Sequence, residues 1–197
     1  MRFYILLDTS GSMEGAKIAA LNDAMANIVA ELQQYSGNGD KFIVMSILSF
    51  GREPKWMHNK SLSIEEFEWK KLISSGMTPL GQACLELHAR LISDMVTVDD
   101  EICIILLSDG CPTDDYDEGI EVLQTNEYFA DAHKYAIAVG DNADIPSLLR
   151  FVGDTSRIFQ QNKVNELLDV LQNILYSETN IIQHRSSIID EDGDEWS

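Results

Sequence analysis

Two apolar runs in this chain end on oxygen-bearing side chains. Phe3-Tyr4-Ile5-Leu6-Leu7 leads into Asp8-Thr9-Ser10-Gly11-Ser12, and Ile104-Ile105-Leu106-Leu107 leads into Ser108-Asp109-Gly110. Between them stands Gly76-Met77-Thr78-Pro79-Leu80-Gly81. Carboxylates and hydroxyls are the donors that a hard divalent cation such as Mg²⁺ prefers. Asp8, Ser10, Ser12, Thr78 and Asp109 are therefore candidate metal residues, offered by three separate loops. Each also has an ordinary structural reading. Ser10, Gly11 and Ser12 could cap the helix that follows. Thr78 beside Pro79 could start the next helix. Asp109-Gly110 could be a plain strand-ending turn. One shared site needs fewer coincidences than three unrelated turns on one edge.

Those loops need a scaffold that brings them together, and the patterning supplies one. Residues 3–8 read as a buried strand. Residues 15–35 read as a helix, with Ile18, Leu21, Ala24, Met25, Ile28, Val29 and Leu32 at helical spacing. Gly37-Asn38-Gly39-Asp40 is a turn signal. A second strand is predicted over 41–50, and an edge strand near Pro54 to Met57. Ser63, Glu65 and Glu66 suit the start of a short helix. Pro79 opens a helix over about 80–95. Residues 101–108 form a near-continuous apolar strand, as expected where both faces of a parallel sheet are covered. Then follow a helix over 117–131, a strand at 134–139, a short helix at 144–152, a strand at 156–160 and a last helix over 163–176. This alternation implies an α/β fold with a doubly wound, mostly parallel central sheet flanked by helices. In such sheets, ligands bind beyond the carboxyl ends of the strands, where the Asp8 and Asp109 turns fall.

Composition narrows the function classes. The 197 residues suit one domain and can bury a substantial core. With 33 Asp and Glu against 14 Lys and Arg, the formal net charge is −19. Such a surface repels phosphate backbones and anionic membranes, so neither nucleic acid nor membrane is an expected partner. Divalent cations and basic groups are favoured instead. Cys84, Cys103 and Cys111 have neither redox-motif nor metal-ligand spacing, which fits a reducing compartment. No signal core stands at the start, and no apolar run reaches about 18 residues. The expected location is cytoplasmic. The domain is expected over 1–177, with 178–197 an acidic C-terminal tail, wholly or partly flexible. His58, His88, His133 and His184 are scattered and lack ligand spacing.

From about residue 3 to 176 the sequence resembles the von Willebrand factor type A (VWA) domain family. The resemblance is carried by Asp-x-Ser-x-Ser at Asp8, Ser10 and Ser12, then Thr78, then Asp109, in order and each after the expected element. These are the five positions of that family's metal-ion-dependent adhesion site (MIDAS). The nearest members are bacterial intracellular proteins of the tellurite-resistance type, found beside phosphatases and kinases. The resemblance implies that Ser10 and Ser12 bind the metal directly, and that Thr78 binds it directly or through water. Asp8 and Asp109 would hold metal-bound waters. It also implies a non-enzymatic, cation-dependent interaction module for bacterial stress or tellurite-resistance-type signalling. The cofactor would be Mg²⁺, with Mn²⁺ or Ca²⁺ as alternatives. A protein partner would complete the coordination with an Asp or Glu, and an associated phosphatase or kinase is implied.

Two other functions compete. Asp8 after a strand superficially matches the aspartyl nucleophile of haloacid dehalogenase-like phosphatases. Their motif wants a second Asp two residues on, where this chain has Ser10, and no catalytic Lys is evident. A scaffold with a dispensable metal is the remaining alternative. Asp114, Asp115, Asp117 and Glu118 read either as an acidic rim to the site or as a helix start, where carboxylates are favoured. The helix start is the better reading.

Overall fold

A computed structural model describes residues 1–36, 42–94, 100–109, 111–161 and 164–179. The first strand, β1 (Arg2–Asp8), is followed by a 3₁₀ turn at Gly11–Met13 and helix α1 (Ala16–Ser36). Next come β2 (Val44–Phe50) and two short strands, β3 (Lys55–Trp56) and β4 (Leu62–Ser63). Helix α2 (Leu80–Ser93) leads to β5 (Ile102–Ser108), α3 (Tyr116–Gln124) and α4 (Glu127–Asp131). The chain closes with β6 (His133–Val139), α5 (Ile145–Val152), β7 (Ile158–Gln161) and α6 (Val164–Thr179).

The strands form one sheet in the order β3-β2-β1-β5-β6-β7, with β4 also on β2. Pairs β1–β2, β1–β5, β5–β6 and β6–β7 are parallel, while β3 and β4 run antiparallel to β2. Period-two alternation divides the core in two. Phe3, Ile5 and Leu7 pack with Leu21, Met25 and Ile28 of α1 and with Leu171 and Leu175 of α6. Tyr4 and Leu6 face the other way, toward Leu80, Cys84 and Leu87 of α2, Ile120 of α3 and Phe151 of α5. Both faces being covered, β1 and β5 are buried almost throughout. Neighbouring strands β1 and β5 thus send the chain to opposite faces, α1 to one and α3 to the other. That is the switch point at which an open α/β sheet leaves a crevice.

The expected doubly wound fold is the one observed, with local differences: β4 was not expected, and the strand expected at 156–160 begins at Ile158, after a 3₁₀ turn at Thr155–Arg157. The helix expected over 117–131 is two helices. Thr125 closes α3, its hydroxyl donating to the Val122 carbonyl at 2.7 Å. The Asn126 side chain then accepts from the Phe129 amide at 3.2 Å and starts α4. Ser63 opens only a 3₁₀ turn, Ile64–Glu66, without a side-chain cap bond. The second strand is shorter than expected, starting at Val44. The acidic tail from residue 180 onward, and the 37–40 turn, lie outside the described residues. Among the described residues, no helix is long and apolar enough to cross a membrane.

Candidate metal centre

Asp8 and Asp109 lie at the carboxyl ends of adjacent strands. In the β1–β5 register Leu7 stands opposite Leu107, so Asp8 and Ser108 are level. Asp8 is fully buried. One carboxylate oxygen accepts from the Ser10 amide at 2.8 Å, and the other accepts from the Ser108 hydroxyl at 2.6 Å. The first bond bends the chain after β1 into the turn that carries both serines. Burial raises the Asp8 carboxyl above its usual range, the nearby Asp109 charge adds to this, and the two hydrogen-bonded serines oppose it.

The hydroxyls follow. Ser10 Oγ and Ser12 Oγ lie 2.8 Å apart. Ser12 Oγ donates to Asp109 Oδ1 at 2.6 Å, and the Lys17 ammonium donates to Asp109 Oδ2 at 2.5 Å. Ser10 makes no side-chain cap to the 3₁₀ turn it precedes, so helix capping is not its role here. Four of the five candidates, Asp8, Ser10, Ser12 and Asp109, therefore form one connected oxygen cluster.

Thr78 reaches the same edge through its loop. The Gly11 amide donates to the Gly76 carbonyl at 3.0 Å, and the Ser75 amide donates to the Thr9 carbonyl at 2.7 Å. Gly76 has φ +84°, and a side chain there would collide with Arg52 backbone atoms at 2.7 Å. The Thr78 amide donates to Thr113 Oγ1 at 2.9 Å, and the Thr113 amide returns a bond to the Thr78 carbonyl at 2.9 Å. Thr78 is buried, and its side chain does not cap α2. That task falls to Asp114, which accepts from the Gly81 and Gln82 amides at 2.9 and 2.8 Å. Asp115 caps α3 through the Glu118 amide at 3.1 Å, and Asp117 pairs with Arg150. Within the acidic cluster after Asp109, Asp115 thus starts the helix that follows, whereas Asp114 serves the start of α2.

The donor set suits a hard cation. Octahedral Mg²⁺ with bonds of about 2.0–2.1 Å spaces adjacent oxygens by about 2.8–3.0 Å. The Ser10–Ser12 hydroxyl separation of 2.8 Å is compatible with one such edge. Among the described residues no three His, Cys, Asp or Glu side chains converge where they could hold a metal ion. Cys84 and Cys103 are buried with thiols pushed up by desolvation, and Cys111 is exposed.

Sequence reasoning missed Ser108 and Lys17. Ser108 was visible only as the residue before Asp109. Lys17 had a subtler signal, a cation in the first turn of a helix where the macrodipole favours anions.

The von Willebrand factor type A domain model matches residues 3–174, and the chain belongs to that family of metal-dependent adhesion and protein-interaction modules. No curated protein matches the sequence significantly. Among solved structures the chain is similar to VWA2, an ArnB paralog from Sulfolobus acidocaldarius, at 21% identity and TM-score 0.64, over 87% of this chain and 44% of that one. It is similar to a von Willebrand factor type A protein from Catenulispora acidiphila at 13% identity and TM-score 0.66, over 88% and 41%. A third is proximal thread matrix protein 1 of the mussel byssus, solved with a zinc-occupied MIDAS motif, at 12% identity and TM-score 0.61, over 90% and 45%. At these identities the likeness is one of fold. The chain spans less than half the length of each of the three.

Proposed function

We propose that this domain binds a protein partner through a divalent cation held at Asp8, Ser10, Ser12, Thr78 and Asp109. The observation that carries this reading is the Ser10–Ser12–Asp109 oxygen cluster beside buried Asp8, in a crevice that the fold reserves for ligands. Ser10 and Ser12 would give hydroxyl oxygens to the ion, and Thr78 would join them directly or through water. Asp8 and Asp109 would orient metal-bound water. With mostly neutral direct donors the ion keeps a strong pull on anions, and a partner's Asp or Glu supplies the missing charge. Mg²⁺ fits the donors, with Mn²⁺ and Ca²⁺ as competitors.

The phosphohydrolase alternative has less behind it. A nucleophilic Asp8 would have to leave two hydrogen bonds and full burial to reach a substrate. The resemblance to bacterial tellurite-resistance-type members would give the domain a cytoplasmic signalling role beside phosphatases or kinases. The domain proper would end near residue 177, before the acidic tail.

The test is calorimetric titration of Mg²⁺ and Mn²⁺ into wild type, Ser10→Ala and Ser12→Ala, followed by partner capture with and without chelator. Weakened ion binding in both variants and chelator-sensitive capture are expected. Wild-type affinity in both variants would sink the ligand assignment.

A further inference from the structure

Lys17 is the second residue of α1, and its side chain is about two-thirds covered. Its ammonium lies 2.5 Å from Asp109 Oδ2, and that carboxylate is only 2% exposed. The stem passes the turn after β6, where a methyl group on Gly140 would lie 3.6 Å from the Lys17 nitrogen. Nothing in α1 favours a cation there. The N-terminal end of a helix repels positive charge, and the first turn of α1 contains no acidic residue. Asp109 is the group that holds Lys17 in place, and Asp109 is also one of the five candidate metal residues.

We infer that Lys17 is a tethered cation that shares Asp109 with the divalent ion and sets how tightly the site holds it. The inference rests on the metal reading given above. Asp8 and Asp109 bring two negative charges to the crevice, and Lys17 cancels one of them. A unit positive charge about 6 Å from a divalent ion weakens its binding by about tenfold even at the dielectric of water. Lys17 therefore keeps the ion loosely bound until a partner carboxylate adds the charge that Lys17 removed. Ion and partner then strengthen each other's binding reciprocally. Lys17 is a positioning and tuning residue, not a metal ligand.

The experiment titrates Mg²⁺ and Mn²⁺ calorimetrically into the full chain as wild type, Lys17→Met and Lys17→Arg, with circular dichroism as the check on folding. Lys17→Met should bind both ions about tenfold more tightly, and Lys17→Arg should stay within about threefold of wild type. Unchanged or weaker binding in Lys17→Met overturns the inference. So does a Lys17→Arg protein that binds as tightly as Lys17→Met, since charge would not then be the cause. Equal binding by wild type and Lys17→Met removes only the role of Lys17. Absence of binding by both removes the metal reading and this inference with it. Lys17→Gln, which also removes the charge, replaces Lys17→Met if that variant does not fold.

Discussion

At the scale of the residue, Asp8 shows what a binding site costs its own fold. Its carboxyl is raised by burial, so ionising it is harder in the folded chain than in the unfolded one. A group shifted this way contributes most stability below the ordinary carboxylate range, and that contribution is lost as pH rises through the raised value. In chelator at pH 7, Asp8→Asn should melt a few degrees above wild type, because Asn keeps an acceptor for the Ser10 amide without a buried charge. The gap should narrow as pH falls toward 4, and a constant gap across thermal melts would refute the buried-charge account. The same variant should bind Mg²⁺ about 10- to 100-fold more weakly, since a group orienting the ligands has lost its charge. Thr78→Ala should separate two functions. If Thr78 joins the ion only when a partner is present, calorimetry will show retained Mg²⁺ affinity while partner capture is lost. Equal loss of both would make Thr78 a permanent ligand. Ser10 and Ser12 were legible in the sequence because a short turn motif states its own geometry. Lys17 was not, because a long side chain's destination depends on the loop it meets 92 residues later.

At the scale of the element, the site depends on how closely α2 and α3 approach. Gly81 and Gly119 face one another there. A Cβ on Gly119 would lie 2.3 Å from the Gly81 carbonyl oxygen, and one on Gly81 would lie 2.4 Å from that of Asp115. Backbone is in contact with backbone, so neither clash is relieved by a rotamer change. Gly119→Ala should cost about 1–3 kcal/mol, measured by urea unfolding. It should also weaken Mg²⁺ binding, because α2 carries the Thr78 loop on its N-terminus. An unchanged midpoint would mean that the helices part without penalty. Asp114→Ala, which frees the Gly81 and Gln82 amides, should cost about 1 kcal/mol by the same measurement. Strong periodicity made α1, α2 and the buried strands readable from spacing alone. The division of α3 from α4 was less so, because Asn126 within an amphipathic pattern caps a helix only once Phe129 is seated beneath it. Asp114 misled in a similar way. It precedes α3 in the chain but serves α2 in space.

At the scale of the whole molecule, the charge dominates. A formal net charge of −19 on 197 residues repels itself, and compaction increases the repulsion. Salt screens such repulsion within about 10 Å at 0.1 M. The melting temperature in chelator should therefore rise as NaCl goes from about 10 mM to 200 mM. A flat response would mean that ion pairs such as Arg2–Asp100 already offset the excess. Chelation alone should leave the far-UV circular dichroism unchanged, because two apolar layers hold the sheet from both faces independently of the crevice. Sheet class and the edge carrying the site were readable before any coordinates, since alternating apolar runs and helices admit few topologies. The edge strand expected near Pro54 to Met57 is β3, whereas β4 was not read, because a two-residue strand carries too little pattern.

The paired threonine loops carry a consequence for time as well as shape. Thr78 and Thr113 exchange two hydrogen bonds, and the next residue along, Asp114, grips the two amides at the start of α2. The amides of Thr78, Gly81, Gln82 and Thr113 cannot meet water one at a time without breaking that shared latch. In native-state hydrogen exchange they should open as one cooperative unit, with a single free energy below that of global unfolding. A partner that engages Thr78 would then slow exchange at Thr113, 35 residues away in sequence, without touching it.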